Sequence, residues 1–392
     1  MIINSNLKKL SKTYLFTQVT EKVANYKKLN PGVKLINLGV GDYTLPLCDA
    51  VVKKLREAVN NLSKKETFRG YGPEEGYLFL RESVKKYYKT KGVDLDTDEI
   101  FISDGANSDI GNVLELFSKD NPVLIPDPVY PAYVDANIIH GRKIEYLNAT
   151  QENNFLPGIP KDEVKSRIIY ICSPNNPTGA TYNYSQLKAF VDYALETESV
   201  IMFDAAYESF IKDQNLPSSI FSIEGAKKCA IEICSFSKIA GFTGVRCGYT
   251  VIPEEMVYED SNMNKIYKRR LAARFNGVSY ISQMGANAVF SREGTEQVNE
   301  NLDYFRRNAK ILSSVFEKKG IFYTGAKNSP YIWFKCPSGM SSWDFFDYLL
   351  EKFNIVGTPG VGFGKNGENF FRLSSFGTLE ETELAAERLL KL

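Results

Sequence analysis

The chain has 392 residues, 43% hydrophobic and 24% charged, with 48 Lys and Arg against 47 Asp and Glu for a formal charge of +1. That balance lacks the basic field that nucleic acid or an acidic membrane surface requires, so small molecules or a second copy of the chain are the expected partners. A single histidine, His140, leaves a histidine-based hydrolase or a histidine-rich metal site depending on one residue, and no metal is expected.

The length favours one large and one smaller domain. The six cysteines form no Cys-x-x-Cys pair and lie mostly in apolar runs, which reads as buried free thiols in a reducing compartment. The N-terminus has no long apolar core and no small-residue cleavage site, and no stretch approaches membrane-spanning length. A cytoplasmic protein without a membrane partner is expected.

Residues 1 to 30 are polar with scattered aromatics and read as an arm, not a core element. Leu35 to Val40 reads as a short strand ending in Gly41-Asp42. Gly39-Val40-Gly41 lacks the third glycine and the helix of a dinucleotide loop, which argues against a nicotinamide site. Ala50 to Asn61 repeats apolar residues at the helical period, whereas FRGYGPEEGY, from Phe68 to Tyr77, breaks all periodicity and is a loop. A helix from Tyr77 to Lys91 precedes a strand from Glu99 to Ser103. That strand runs into SDGANSDIG, where Gly105, Ala106 and Asn107 open the next helix and offer free backbone amides to an anion.

Strands follow at Val123 to Pro126, Lys143 to Leu147, Ile168 to Cys172, Val200 to Phe203 and Cys229 to Cys234. The first leads into PDPVYPAY, with Tyr130 on a proline-stiffened loop and His140 at the C-terminal end of the following helix. The third ends in SPNNPTG, with Asn176 in the turn. The fourth ends on Asp204, three residues before Tyr207. The fifth delivers a Ser-Phe-Ser-Lys turn and a glycine-rich segment holding Arg246.

From Asn30 to about Ile252, strands and helices alternate as in a doubly wound, mostly parallel α/β sheet. Beyond Pro253 long helices take over, notably Glu296 to Phe316. Tyr331 to Phe334, Ser342 to Lys352, Phe370 to Ser374 and a final helix capped at Thr378 complete a smaller α+β unit. Its loop TPGVGFGKNG has Asn366 where a triphosphate loop needs Ser or Thr, so nucleoside triphosphate binding is not expected.

Sites in such sheets gather beyond the carboxyl ends of the strands, where Gly105, Asn176, Asp204 and Lys238 all fall. Together they meet the needs of an aldehyde cofactor that stabilises carbanions. Lys238 would bond the aldehyde, and Asp204 would keep a ring nitrogen protonated. Asn176 and Tyr207 would hydrogen-bond the phenolic oxygen, while Ala106, Asn107, Ser235, Ser237 and Arg246 would cup the phosphate. Arg372, on a late strand, would grip a carboxylate with its planar fork.

The order NNPTG, Asp204 with Tyr207, SFSK with Arg246, TPGVGFG and Arg372 resembles the pyridoxal-phosphate aminotransferases of fold type I. GYGPEEG, SDGANSDIG, PDPVYPAYVDA, CSPNNPTGA, SFSKIAGFTGVRCGYTVIP, FNGVSYISQ and RLSSFG are similar to the branch of that family acting on LL-2,6-diaminopimelate. The resemblance covers essentially the whole chain. It implies pyridoxal 5′-phosphate as cofactor, 2-oxoglutarate as amino acceptor, and Lys238 as the acid and base at the substrate Cα. A homodimer with shared sites is implied, with Tyr71 reaching the partner's phosphate. Tyr130 would border the cofactor ring, Asn276 and Arg372 would hold substrate carboxylate, and Tyr14 and Gly41 would close over the substrate. The branch often has a lysine where this chain has Asn107, so reading of the distal end of the substrate is expected to differ. Glu74 and Glu75, beside Tyr71, are candidates for the distal ammonium. The implied division is residues 1–47 as an arm with part of the small domain, 48–290 as the cofactor-binding domain and 291–392 as the small domain.

Overall fold

The computed structural model describes residues 1–11 and 14–392. Its centre is a seven-stranded sheet in the spatial order Ile100–Ser103, Gly248–Val251, Ala230–Ser235, Val200–Asp204, Ile168–Cys172, Val123–Asp127, Ile144–Asn148. The last five strands pair in parallel, and Gly248–Val251 runs antiparallel to both of its neighbours. The fold is therefore the α/β class expected.

IIYIC and VIMFD carry apolar residues at nearly every position because both faces of the sheet are covered, and every residue in these two strands is buried. Alternation of side chains sends Ile169, Ile171, Ile201 and Phe203 into one apolar cluster and Ile168, Tyr170, Val200 and Met202 into another. Each such side chain, fully buried, contributes about 1.5–3 kcal/mol. The first cluster is closed by helices Leu78–Thr90 and Tyr184–Glu196, the second by Ala106–Leu114 and Met263–Arg274.

A second, four-stranded antiparallel sheet orders Tyr323–Gly325, Tyr331–Lys335, Phe370–Ser374 and Thr358–Pro359. The helix Arg292–Lys319 packs on it, with Phe316 stacked on Phe334 at 4.2 Å between ring centroids. That helix begins on Ser291, whose hydroxyl accepts the Gly294 N–H, and ends at Gly320 in the left-handed region.

Two expectations are corrected here. Ile36–Asn37 pairs with Ile355–Val356, beside the small sheet, so the segment after Asn30 does not open the large one. Residues 1 to 30 are more than an arm: Leu15–Leu29 is a helix with Leu15 and Val19 buried, Leu15 among Trp333 and Phe363 and Val19 in the small sheet's core. Leu15, Val19, Val23 and Tyr26 form a helical stripe that the surrounding polar residues dilute in the sequence. His140 caps the C-terminus of Pro131–Ile139, ahead of Gly141, as expected. Five of the six cysteines are buried, Cys48 partly. Among the described residues no helix is long and apolar enough to cross a membrane.

Candidate active site

A cavity of about 260 Å³ opens at the carboxyl ends of the large sheet's strands, between it and the small sheet. Lys238, Asp204, Tyr207, Ala106, Asn107, Tyr130, Asn176, Ser235, Ser237, Arg246, Gly41 and Arg372 all line it. These residues span positions 41 to 372 in sequence, and the fold brings them to one place.

Lys238 stands on the single-turn helix Phe236–Ile239 that ends the strand Ala230–Ser235. Phe236 anchors that turn among Phe242, Tyr249 and Phe290, leaving the lysine to face the cavity. Its Nζ donates to the Gly41 carbonyl. Burial, reinforced by the guanidinium groups of Arg372 and Arg246 and opposed by Asp42, pushes the amine down to about 8. A substantial neutral fraction is thus present near physiological pH, as a nucleophilic lysine requires.

Asp204 ends the strand Val200–Asp204. Its Oδ2 accepts from the Tyr133 hydroxyl at 2.5 Å and its Oδ1 from the Ala206 N–H at 2.9 Å. Burial raises its carboxyl, and both donors pull the other way. A cationic ring nitrogen is the partner that such a buried acid lacks.

At the other end, the helix Ala106–Leu114 points its uncapped N-terminus into the cavity. The Ser235 hydroxyl accepts the Ser237 N–H at 3.1 Å, and Arg246 Nη1 donates to Ser237 Oγ at 3.2 Å. Gly105 has φ +131, and a Cβ there would lie 2.5 Å from Arg246 Nη2. Only glycine lets the arginine close this cup. Free amides, two hydroxyls and a guanidinium suit a phosphate dianion, with the lysine and the acid beyond it, so the donor set fits pyridoxal phosphate.

Arg372 is 1% exposed, donates to Asn176 Oδ1 at 2.7 Å and to the Gly39 carbonyl at 2.6 Å, and keeps a buried Nε without a partner among the described residues. Its guanidinium lies over the Tyr331 ring at 4.3 Å and the Phe363 ring at 4.8 Å. Burial lowers its affinity for its proton, and the surrounding phenols raise it. A carboxylate is the natural occupant beside it.

Other expectations part from the cavity. Tyr14 bonds the Tyr130 hydroxyl but lines a neighbouring cavity of about 460 Å³. Tyr71, 91% exposed, and Asn276 lie in a separate surface groove with Tyr77 and Tyr280. The Pro73–Glu74 backbone packs on Gly277 at the edge of that groove. Within one chain, then, Tyr71, Glu74 and Asn276 do not reach the cavity. Glu75 pairs with Lys268 at 3.1 Å and with Arg81 at 4.0 Å, which removes it as a candidate for a substrate ammonium.

Among the lining residues that sequence reasoning missed, Tyr133 and Tyr331 bond Asp204 and Tyr207 through their hydroxyls. Tyr133 had a signal, since it stands three residues from Tyr130 after a helix-opening proline and so shares its side. Tyr331 had none, because its partner Tyr207 is 124 positions away.

The family model for aminotransferases of class I and II matches residues 33–389. LL-diaminopimelate aminotransferase of Methanosphaera stadtmanae is 49% identical, over all of this chain and 98% of its own length. That of Prochlorococcus marinus is 47% identical, over all of this chain and 99% of its own. The solved structure of L,L-diaminopimelate aminotransferase from Chlamydomonas reinhardtii superposes with a TM-score of 0.94 at 38% identity, covering 100% of this chain and 98% of that one.

Proposed function

The chain belongs to the class I and II aminotransferases, and from the cavity it builds we propose that it exchanges an amino group between LL-2,6-diaminopimelate and 2-oxoglutarate, with tetrahydrodipicolinate and glutamate as the other pair. The observation that carries the transaminase reading is the convergence of a lysine held near 8, a buried acid and a phosphate cup on one cavity. Full-length similarity to diaminopimelate enzymes supports the substrate.

Members of this family depend on pyridoxal 5′-phosphate, which supplies an aldehyde for covalent attachment and a ring that draws electrons from the substrate Cα. Lys238 would hold it covalently through Nζ and would serve as the acid and base that moves a proton between the substrate Cα and the cofactor's aldehyde carbon. Asp204, positioned by Tyr133 and the Ala206 amide, would keep a proton on the ring nitrogen. Tyr207 and Asn176 serve the phenolic oxygen. Ala106, Asn107, Ser235, Ser237 and Arg246 would receive the phosphate, and Tyr130 would border the ring. Arg372 takes the substrate's α-carboxylate in place of the Gly39 carbonyl or at its free Nε.

Two subunits are needed for a complete site. Exposed Tyr71 and Asn276 and half-buried Glu74 are assigned to a partner's cavity, where Tyr71 would meet phosphate, Glu74 the distal ammonium and Asn276 a carboxylate. Gly41 and Tyr14 close over the substrate. Residues 1–47, 48–290 and 291–392 are taken as the arm with part of the small domain, the cofactor-binding domain and the small domain. Each of the latter two contains one of the large sheets, at 100–251 and 323–374. A biosynthetic homodimer working in the cytoplasm accords with these features.

The test is glutamate formation from 2-oxoglutarate with LL-diaminopimelate as donor. Glutamate from that donor, and not from aspartate or aromatic amino acids, supports the assignment. Equal use of all donors replaces it with a broad-specificity transaminase, and ammonia or thiol release without glutamate replaces it with a lyase.

A further inference from the structure

We propose that Tyr331 is a positioning residue of this site, holding Tyr207 through its hydroxyl and Arg372 through its ring. The proposal rests on the transaminase reading above and extends it to a residue in the small sheet. Tyr331 opens the strand Tyr331–Lys335, which pairs antiparallel with Phe370–Ser374, the strand that carries Arg372. This register brings the Tyr331 ring under the Arg372 guanidinium, 4.3 Å from carbon to centroid. The Tyr331 hydroxyl lies 2.7 Å from that of Tyr207, which follows a strand of the large sheet. One side chain thus bridges both sheets across the cavity.

The hydroxyl has nowhere else to go. It packs so closely on Gly41 that a Cβ at that position would overlap it, and Tyr331 is 1% exposed. Each phenol has one proton to donate, so the direction of the bond decides what reaches the cavity. A proton given by Tyr207 to Tyr331 would leave Tyr207 only lone pairs to offer. A proton given by Tyr331 frees the Tyr207 proton for the cofactor's phenolic oxygen and polarises it as a stronger donor.

The cation over the Tyr331 ring selects the second direction. A guanidinium on the face of a phenol stabilises negative charge developing on its oxygen, so Tyr331 is the better donor of the two. The groups facing the pair are Arg372, Cys172 at the end of its strand, and Tyr130 on the opposite wall. Burial holds both phenols up, and the Arg372 guanidinium pulls both down. The chain of donors therefore runs from Tyr331 to Tyr207 to the phenolic oxygen. Its ring meanwhile keeps Arg372 aimed at the substrate carboxylate.

The two roles separate experimentally. Absorbance titration of the bound cofactor in resting holoenzyme reports the donor chain, and the KM for 2-oxoglutarate reports Arg372. Y331F is expected to raise the titration midpoint by about 0.4–1 pH unit, the worth of one hydrogen bond. It leaves KM within about twofold, because the ring stays under the guanidinium. Y331L is expected to give the same midpoint shift with a roughly fivefold rise in KM. In a Y207F background, Y331F adds no further shift, since the effect passes through Tyr207. Melting of the cofactor-free Y331F protein at the wild-type temperature verifies that its fold is intact. A wild-type midpoint in Y331F, a shift that persists without the Tyr207 hydroxyl, or an unchanged KM in Y331L overturns the proposal. Wild-type protein that binds no such chromophore overturns the transaminase reading itself, and this proposal with it.

Discussion

The cavity above the large sheet and the exposed groove around Tyr71 carry the same kinds of side chain but stand in opposite states. In the cavity almost every polar group has a partner in its own chain: Asp204 has Tyr133, Arg246 has Ser237, Arg372 has Asn176 and Lys238 has Gly41. In the groove, Tyr71 is 91% exposed, with Phe68 nearby at 65%. On the proposed function, holding the cofactor is mostly a single-chain property built on rigid strand ends, whereas completing the substrate site falls to the assembly.

Substitutions on the two sides should therefore behave differently. Lys238→Ala lies in the cavity and removes both the covalent anchor and the proton carrier, so kcat should fall on the order of 10³–10⁴-fold in a glutamate-formation assay. Tyr71→Ala lies in the groove and should also be nearly inactive as a homodimer. Mixing K238A with Y71A and allowing subunits to exchange should restore up to roughly a quarter of wild-type activity, because half the molecules are mixed dimers with one intact site each. No recovery after verified exchange would place both regions in the same site of one chain, against the comparison drawn here.

Finer changes sharpen it. Glu74→Gln removes the carboxylate assigned to the distal ammonium, and the KM for LL-diaminopimelate should rise roughly tenfold while that for glutamate stays level. An equal rise for both substrates would argue that Glu74 acts on the fold and not on the diamino acid. Lys238 gives the smallest effect, and it is one of pH. With the amine near 8, its neutral form is about half populated at that pH, so cofactor capture by cofactor-free protein should slow roughly fivefold between pH 8 and 7. Capture should level off above pH 9; a rate still climbing towards pH 10.5 would mean an unperturbed lysine.

Legibility in the sequence followed the same divide. The strand ends were readable because each announced itself locally, by an apolar run closing on Asn176, Asp204 or Ser235 and by the SFSK turn. Most of the secondary elements were readable for that reason too. What failed was non-local. Ile36–Asn37 is an apolar pair like many others, and only its partner at Ile355–Val356 reveals which sheet it joins. Glu74 and Glu75 are adjacent and chemically identical, yet Glu75 is spent on Lys268 and Arg81. Tyr331 matters through a hydroxyl partner 124 positions away, and no local pattern encodes such a meeting, whereas Tyr133 had its spacing from Tyr130 to mark it.

The most direct test of the central claim is to load the protein with pyridoxal phosphate, reduce it with borohydride and map the labelled peptide by mass spectrometry. The account predicts the cofactor fixed to Lys238 alone, and none fixed in Lys238→Ala. Cofactor on another lysine, or no covalent label in wild-type protein, would contradict it.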